Sequence, residues 1–187
     1  MHYFVSDDSY FLYGMKESLS ERTDQGSHIS LIHYGDIYPV FSPVPDDVVI
    51  IRIRDIHKRY RISGMEQLAH CRVIILLACA GFVTGPPDGA FPWILPWYMD
   101  TGSLKDCIDR AAAAPFHRQR IPKQDWMIFY YLSRGISTTV LADRMIMNGK
   151  YLYQLKRRKI IGYGLEGNDA TVILAFRDII RLSVVAG

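Results

Sequence analysis

The chain has 187 residues, 49% of them apolar and 12% aromatic, which suits a packed core and excludes a disordered segment. It has no apolar run long enough to cross a membrane, no basic-then-apolar leader in Met1-His-Tyr-Phe-Val-Ser-Asp-Asp8, and three cysteines (Cys71, Cys79, Cys107) without Cys-x-x-Cys spacing, so the expectation is a cytoplasmic protein with reduced thiols and no zinc site. The net charge of +3 conceals a split: residues 1–114 hold 10 Lys/Arg against 14 Asp/Glu, whereas residues 115–187 hold 12 against 5, which points to two domains, the second facing a polyanion.

The first 114 residues alternate strand-like and helix-like segments. His2–Ser6 is an apolar strand ending at Asp7-Asp8, and Phe11, Met15 and Leu19 form a helical stripe over Tyr10–Ser20. His28–His33, the β-branched run Val48–Ile53, Val73–Cys79 and Phe91–Leu95 read as further strands, with a short helix over Ile62–His70 between the third and fourth. Gly81–Pro92, with adjacent prolines and three glycines, predicts a loop where a crossover helix is expected. Ser103–Ala114 closes the unit as a helix with Ser103 as its N-cap. Such alternation, with apolar strands, predicts a parallel α/β sheet covered on both faces.

Residues 115–120 (Pro-Phe-His-Arg-Gln-Arg) read as a short polar linker. Four helical segments follow: Gln124–Arg134, ended by Gly135; Thr138–Met145, capped by Ser137; Gly149 to about Ile160, capped by Asn148; and a last one opened by Asn168-Asp169. The third carries five cations between Lys150 and Lys159. Two short helices around Met145–Gly149, the second basic on its outer face, match a DNA-reading helix-turn-helix.

These residues carry a resemblance. Ile121-Pro-Lys-Gln-Asp125, the aliphatic Ile128–Leu132, Gly135, Ser137, Leu141-Ala142 and Asn148-Gly-Lys-Tyr-Leu152 resemble, by spacing and type, the LuxR-type helix-turn-helix that ends regulators of the NarL/FixJ class. The resemblance implies a third helix in the major groove, with Tyr153, Gln154 and Arg157 toward base edges and Lys150, Lys156 and Arg158 toward phosphates. Tyr151 stands where the family has Thr beside the backbone.

Residues 1–114 are similar to the usual partner of that module, a flavodoxin-like receiver. Val5-Ser-Asp-Asp8 mirrors its acidic pair, and Asp47-Val-Val-Ile-Ile-Arg52-Ile-Arg54 its third strand. Arg52 falls at the phosphoacceptor position, and the hydroxyl and Lys positions fall near Leu77 and Pro96. An arginine has no lone pair for attack and stays protonated, so no aspartyl phosphorylation is expected. Arg52 is instead expected to form a salt bridge to Asp7 or Asp8, which leaves no metal site.

The expected function is a phosphorylation-independent transcriptional regulator: non-enzymatic, without cofactor, binding double-stranded promoter DNA through residues 121–187. It would dimerise with itself or with a related response regulator through the receiver-like half, as auxiliary regulators of the RcsA and BglJ type do. Trp93, Trp97 and Tyr98, in the aromatic run Phe91–Tyr98, are the candidate partner surface, with core positions as the alternative. A protein–protein adaptor or antagonist without DNA binding is the second reading. An enzyme or small-molecule sensor finds no support: no phosphate-binding loop and no catalytic or metal-ligand spacing is visible.

Overall fold

The computed structural model describes residues 1–19, 28–80, 90–167 and 169–186. Strand β1 (His2–Ser6) pairs in parallel with β2 (Ile29–His33) on one side and β3 (Val48–Arg52) on the other. Strands β4 (Arg72–Leu77) and β5 (Trp93–Pro96) extend the sheet, giving the order β2-β1-β3-β4-β5. The strand cores are buried throughout, which is why they read as continuous apolar runs rather than alternating ones.

Helices α1 (Ser9–Leu19) and α4 (Thr101–Ala113) cover one face, where Leu12, Met15, Leu104 and Ile108 meet Phe4, Ile50 and Ile74. On the opposite face lie α2 (Ile37–Val40), a single kinked turn, and α3 (Ile56–Ile62), followed by a 3-10 turn over Glu66–His70. The remaining helices are α5 (Lys123–Ser133), α6 (Thr138–Arg144), α7 (Gly149–Gly162) and α8 (Ala170–Arg181). Val5, Val49, Ile51 and Ile75 of the sheet belong to the same buried cluster as Phe129, Leu152, Phe176 and Ile179 of those helices. The two halves therefore share one core, and the second half completes a sheet face.

Several boundaries differ from the sequence expectations for local reasons. The helix expected over Ile62–His70 is not an α-helix there: α3 lies earlier, where Asp55 Oδ1 caps it by accepting from the His57 and Lys58 amides at 2.8 and 3.0 Å, it ends at Ile62, and the expected stretch holds only the 3-10 turn. The cap of α4 is Asp100, which accepts from the Ser103 amide at 2.9 Å and from its hydroxyl at 2.6 Å, so Ser103 is the capping partner. The fifth strand starts at Trp93 because Phe91 bridges instead to Arg118. The predicted loop lies largely outside the described residues, at 81–89.

The second half is not purely helical. Strand β6 (Arg120–Pro122) pairs in parallel with β7 (Val184–Ala186), closing the end of the chain onto the connection between the halves. Residues 117–119 are bonded on both sides: Phe91 N donates to His117 O and Gln119 N to Phe91 O, while Arg118 donates twice to Leu182 O at the end of α8. That carbonyl is one of the four a helix C-terminus leaves without an internal partner.

Helix starts at Ser137 and Asn148 are as expected from the sequence, each side chain accepting from a first-turn amide. Between α6 and α7, Ile146 adopts φ 55° and is 95% exposed. A β-branched residue in the left-handed region costs roughly 1–2 kcal/mol, and this one recovers nothing by burial. Ile146→Gly should raise stability by about 0.5–1 kcal/mol, read as a higher urea midpoint at unchanged slope.

Candidate functional site

Two places gather the residues the sequence singles out. The first is the C-terminal edge of the sheet, where the register sets Ser6 opposite Arg52. Arg52 Nη1 donates to Asp8 Oδ2 at 2.8 Å, and Arg54 Nη2 stands 3.8 Å from the same oxygen. The other Asp8 oxygen accepts from the Tyr10 and Phe11 amides, capping α1. Asp7 is occupied by the Arg54 and Asp55 amides at 3.0 and 3.1 Å. The Arg52 guanidinium lies over the rings of Phe11 (4.5 Å) and Trp97 (5.5 Å), and that of Arg54 over Trp97 (4.6 Å).

This arrangement fills the acidic pair from within. Position 52 offers no nucleophile, and Leu77 and Pro96, where the resemblance to a receiver places a hydroxyl and a lysine, are buried. Among the described residues no group of three His, Cys, Asp or Glu side chains is placed to hold a metal.

The Arg52 hydrogen bond holds the Asp8 carboxyl below the usual carboxylate range, burial opposing it and the helix amides assisting. A depressed carboxyl pKa stabilises the fold above the unfolded value and loses that contribution as pH falls through the folded one. Arg52→Ala should therefore cost about 1–2 kcal/mol at pH 7. Part of that difference should shrink as pH falls below about 4 and through the lowered Asp8 pKa of the parent protein, where the carboxyl finally takes up its proton. Urea unfolding of the pair at pH 7 and pH 3 checks this; a difference independent of pH would leave only the ring contacts responsible.

The expected partner surface divides. Trp93 is 3% exposed and stacked on Phe91 at 4.9 Å, so it belongs to the core and cannot meet a partner. Trp97 is half-buried beneath the two guanidiniums, whereas Tyr98 is exposed.

The second place is α7. Leu152, Leu155 and Ile160 face the core, and Lys150, Tyr151, Tyr153, Gln154, Arg157 and Arg158 are exposed. Lys150, Gln154, Arg157 and Arg158 lie along one side at helical spacing. Among the described residues Lys150, Arg157 and Arg158 have no acidic partner. By contrast Lys159 Nζ pairs with buried Asp125 Oδ2 at 2.6 Å, tying α7 to α5, and burial together with the Asp125 charge pushes the Tyr163 hydroxyl up to about 12.

Lys156 departs from its expected phosphate role. It is 7% exposed, its ammonium sits 5.4 Å over the Tyr153 ring, and burial lowers its pKa. The positions 152, 155, 156 and 160 form one helical stripe, so the spacing itself turns residue 156 inward.

Sequence reasoning missed the polar joint between the halves. Arg59 Nε donates to Asp178 Oδ2 at 2.7 Å with both side chains buried, and Arg177 donates to Asp178 Oδ1 at 2.8 and 3.0 Å. Arg177 and Arg181 lie over the Tyr60 ring at 4.1 and 4.0 Å and donate to the Ile56 and Tyr60 carbonyls. Glu166 N donates to Cys79 O beside the Ala80–Leu165 bridge. Burial pushes the Asp178 carboxyl up, against the pull of the two guanidiniums. The available signal was an aspartate set between the apolar positions of α8, Phe176 and Ile179.

No family model and no curated protein matches the sequence. Among solved structures the chain is similar to an RcsB response regulator–DNA complex, at 13% identity over 95% of this chain and 98% of that one, with a TM-score of 0.46. It is similar to two RcsB dimers bound to two parallel DNAs at 11% identity, 95% and 98% coverage and a TM-score of 0.45. The response regulator ChrA of a heme-sensing two-component system matches at 14% identity, 94% and 96% coverage and a TM-score of 0.34.

Proposed function

We propose that this chain is a non-enzymatic, phosphorylation-independent regulator that binds promoter DNA. In this reading α5–α8 form a LuxR-type domain, with α6, the turn and α7 as its helix-turn-helix, and the sheet half is a receiver that no longer takes a phosphoryl group. The observation that carries it is the exposed side of α7, where Lys150, Arg157 and Arg158 stand without acidic partners among the described residues, although Arg52, Arg59, Arg177 and Lys159 are all paired elsewhere. Cations held on a rigid helix, clear of the core and unneutralised, suit a phosphate backbone. Gln154 and Arg157 among them can pair with adenine and guanine edges.

Arg52 supports independence from phosphorylation, because it already supplies the charge that balances Asp8. A single small helix-turn-helix reads one half-site, so the reading includes a second copy, or a related response regulator, joined through the sheet half.

The test is a gel-shift series with promoter fragments in increasing salt. Binding whose logarithm falls linearly with the logarithm of salt concentration is expected. Unchanged affinity after acetyl phosphate and Mg²⁺ treatment is also expected. Failure to retain any fragment at low salt, together with a stable complex with a response regulator, would establish the adaptor instead.

A further inference from the structure

A groove of about 670 Å³ opens on the sheet half, away from both sites above, between the segment after β2 and the turn after α3. That volume is in the range of small-ligand sites. Tyr34 and Tyr38 form an aromatic side, and Tyr38 is 77% exposed. Met65, half-buried against the core, supplies an apolar, adaptable surface.

The polar groups come from two elements, α3 and the 3-10 turn that follows it. Arg61 lines it from α3, and its side chain has no hydrogen-bond or ion-pair partner among the described residues. Lys58, one turn earlier on the same helix, holds its ammonium 5.5 Å over the Tyr34 ring. The 3-10 turn contributes Glu66 and Gln67. Gly64 also lines the groove, and the guanidinium of Arg181 packs so closely on its backbone that a Cβ there would collide.

We propose that this groove binds an adenine nucleotide. The requirements are a flat aromatic body for the tyrosines, an anionic group for Arg61, and an edge with N–H donors for Glu66 and Gln67. Tyrosine rings stack on any base. A glutamine pairs bidentately with the amino and ring nitrogens of adenine, and a carboxylate accepts from an exocyclic amine. A zwitterionic amino acid would satisfy Arg61 and Glu66 alone. The further cations Lys58 and Arg181 tilt the local field toward a ligand of net negative charge.

The measurement is isothermal calorimetry on the full chain without DNA, using AMP, adenosine, inorganic phosphate and UMP. AMP is expected to bind with a Kd at or below about 1 mM and at least about tenfold tighter than adenosine, phosphate or UMP. Arg61→Ala and Tyr38→Ala should each weaken AMP by about tenfold or more. Both side chains are exposed, and circular dichroism should show both variants folded. Arg157→Ala, on the basic face of α7, should leave AMP binding unchanged. No AMP binding at about 1 mM overturns the proposal, as does binding that Arg157→Ala removes and Arg61→Ala spares.

Discussion

Asp178→Ala is expected to cost about 3–5 kcal/mol of stability, a fall in Tm on the order of 10 °C. The carboxylate is 1% exposed and neutralises two guanidiniums, one of which, Arg59, is itself buried at 5% exposure. Removing the carboxylate strands the Arg59 charge in the shared core with only the Ile53 carbonyl, 3.3 Å from its Nη1, as partner. Arg59→Met should cost distinctly less, because Arg177 keeps two hydrogen bonds to Asp178. Combining Arg59→Met with Asp178→Leu should recover most of the loss, since a buried pair replaced by apolar groups of similar size is often close to neutral. Urea unfolding of the parent, Arg59→Met, Asp178→Leu and their combination as a double-mutant cycle, with Asp178→Ala beside them, decides it. An Asp178→Ala cost below about 1 kcal/mol, or an Arg59→Met cost exceeding it, would mean that the pair is solvated in solution.

The position of this pair bears on function. It joins α3 of the sheet half to α8 of the helical half, inside a core that both halves share. A regulator switched by a phosphoryl group needs two arrangements of its halves of similar free energy. Here a buried ion pair, two cation–ring contacts and a continuous apolar cluster favour one arrangement, in which the basic side of α7 is exposed. The sheet edge is likewise fixed in one arrangement, with the Arg52 guanidinium already balancing the Asp8 charge.

What the sequence reveals follows from what is local. Strands β1, β3 and β4 are legible because a strand buried on both faces must be apolar at every position. The starts of α6 and α7 are legible because Ser137 and Asn148 are caps whose chemistry needs only the next three residues. Strands β6 and β7 are not, since three residues such as Arg120–Pro122 are too few to show a period and are defined by a partner more than sixty residues away. The choice of Asp8 over Asp7 by Arg52 depends on the turn after β1, which spends Asp7 on two amides. The Arg59–Asp178 pairing spans 119 residues and leaves only an aspartate out of place in an apolar stripe. Lys156 was legible after all: counting from Leu152 turns it inward, but its neighbours Arg157 and Arg158 make the run look uniformly solvated.

That distinction along α7 yields the sharpest functional expectation, which rests on the DNA reading. Arg157→Ala should weaken binding to the preferred site by about 1–3 kcal/mol, roughly 5- to 150-fold, and relax discrimination at one base position. Its guanidinium is exposed, unpaired and able to contact a guanine edge in bidentate fashion. Lys150→Ala should weaken all sequences alike and reduce the salt slope by about 1, the signature of one lost phosphate. Lys156→Ala should leave the slope unchanged, because Lys156 is buried with its ammonium over the Tyr153 ring, and should appear instead as a modest loss of stability from its buried stem. Three lysine or arginine truncations within eight residues should thus separate into three phenotypes. Fluorescence anisotropy against preferred and scrambled duplexes, from low to moderate salt, resolves them. An equal salt-slope reduction for Lys150→Ala and Lys156→Ala would show that α7 meets DNA through a different face.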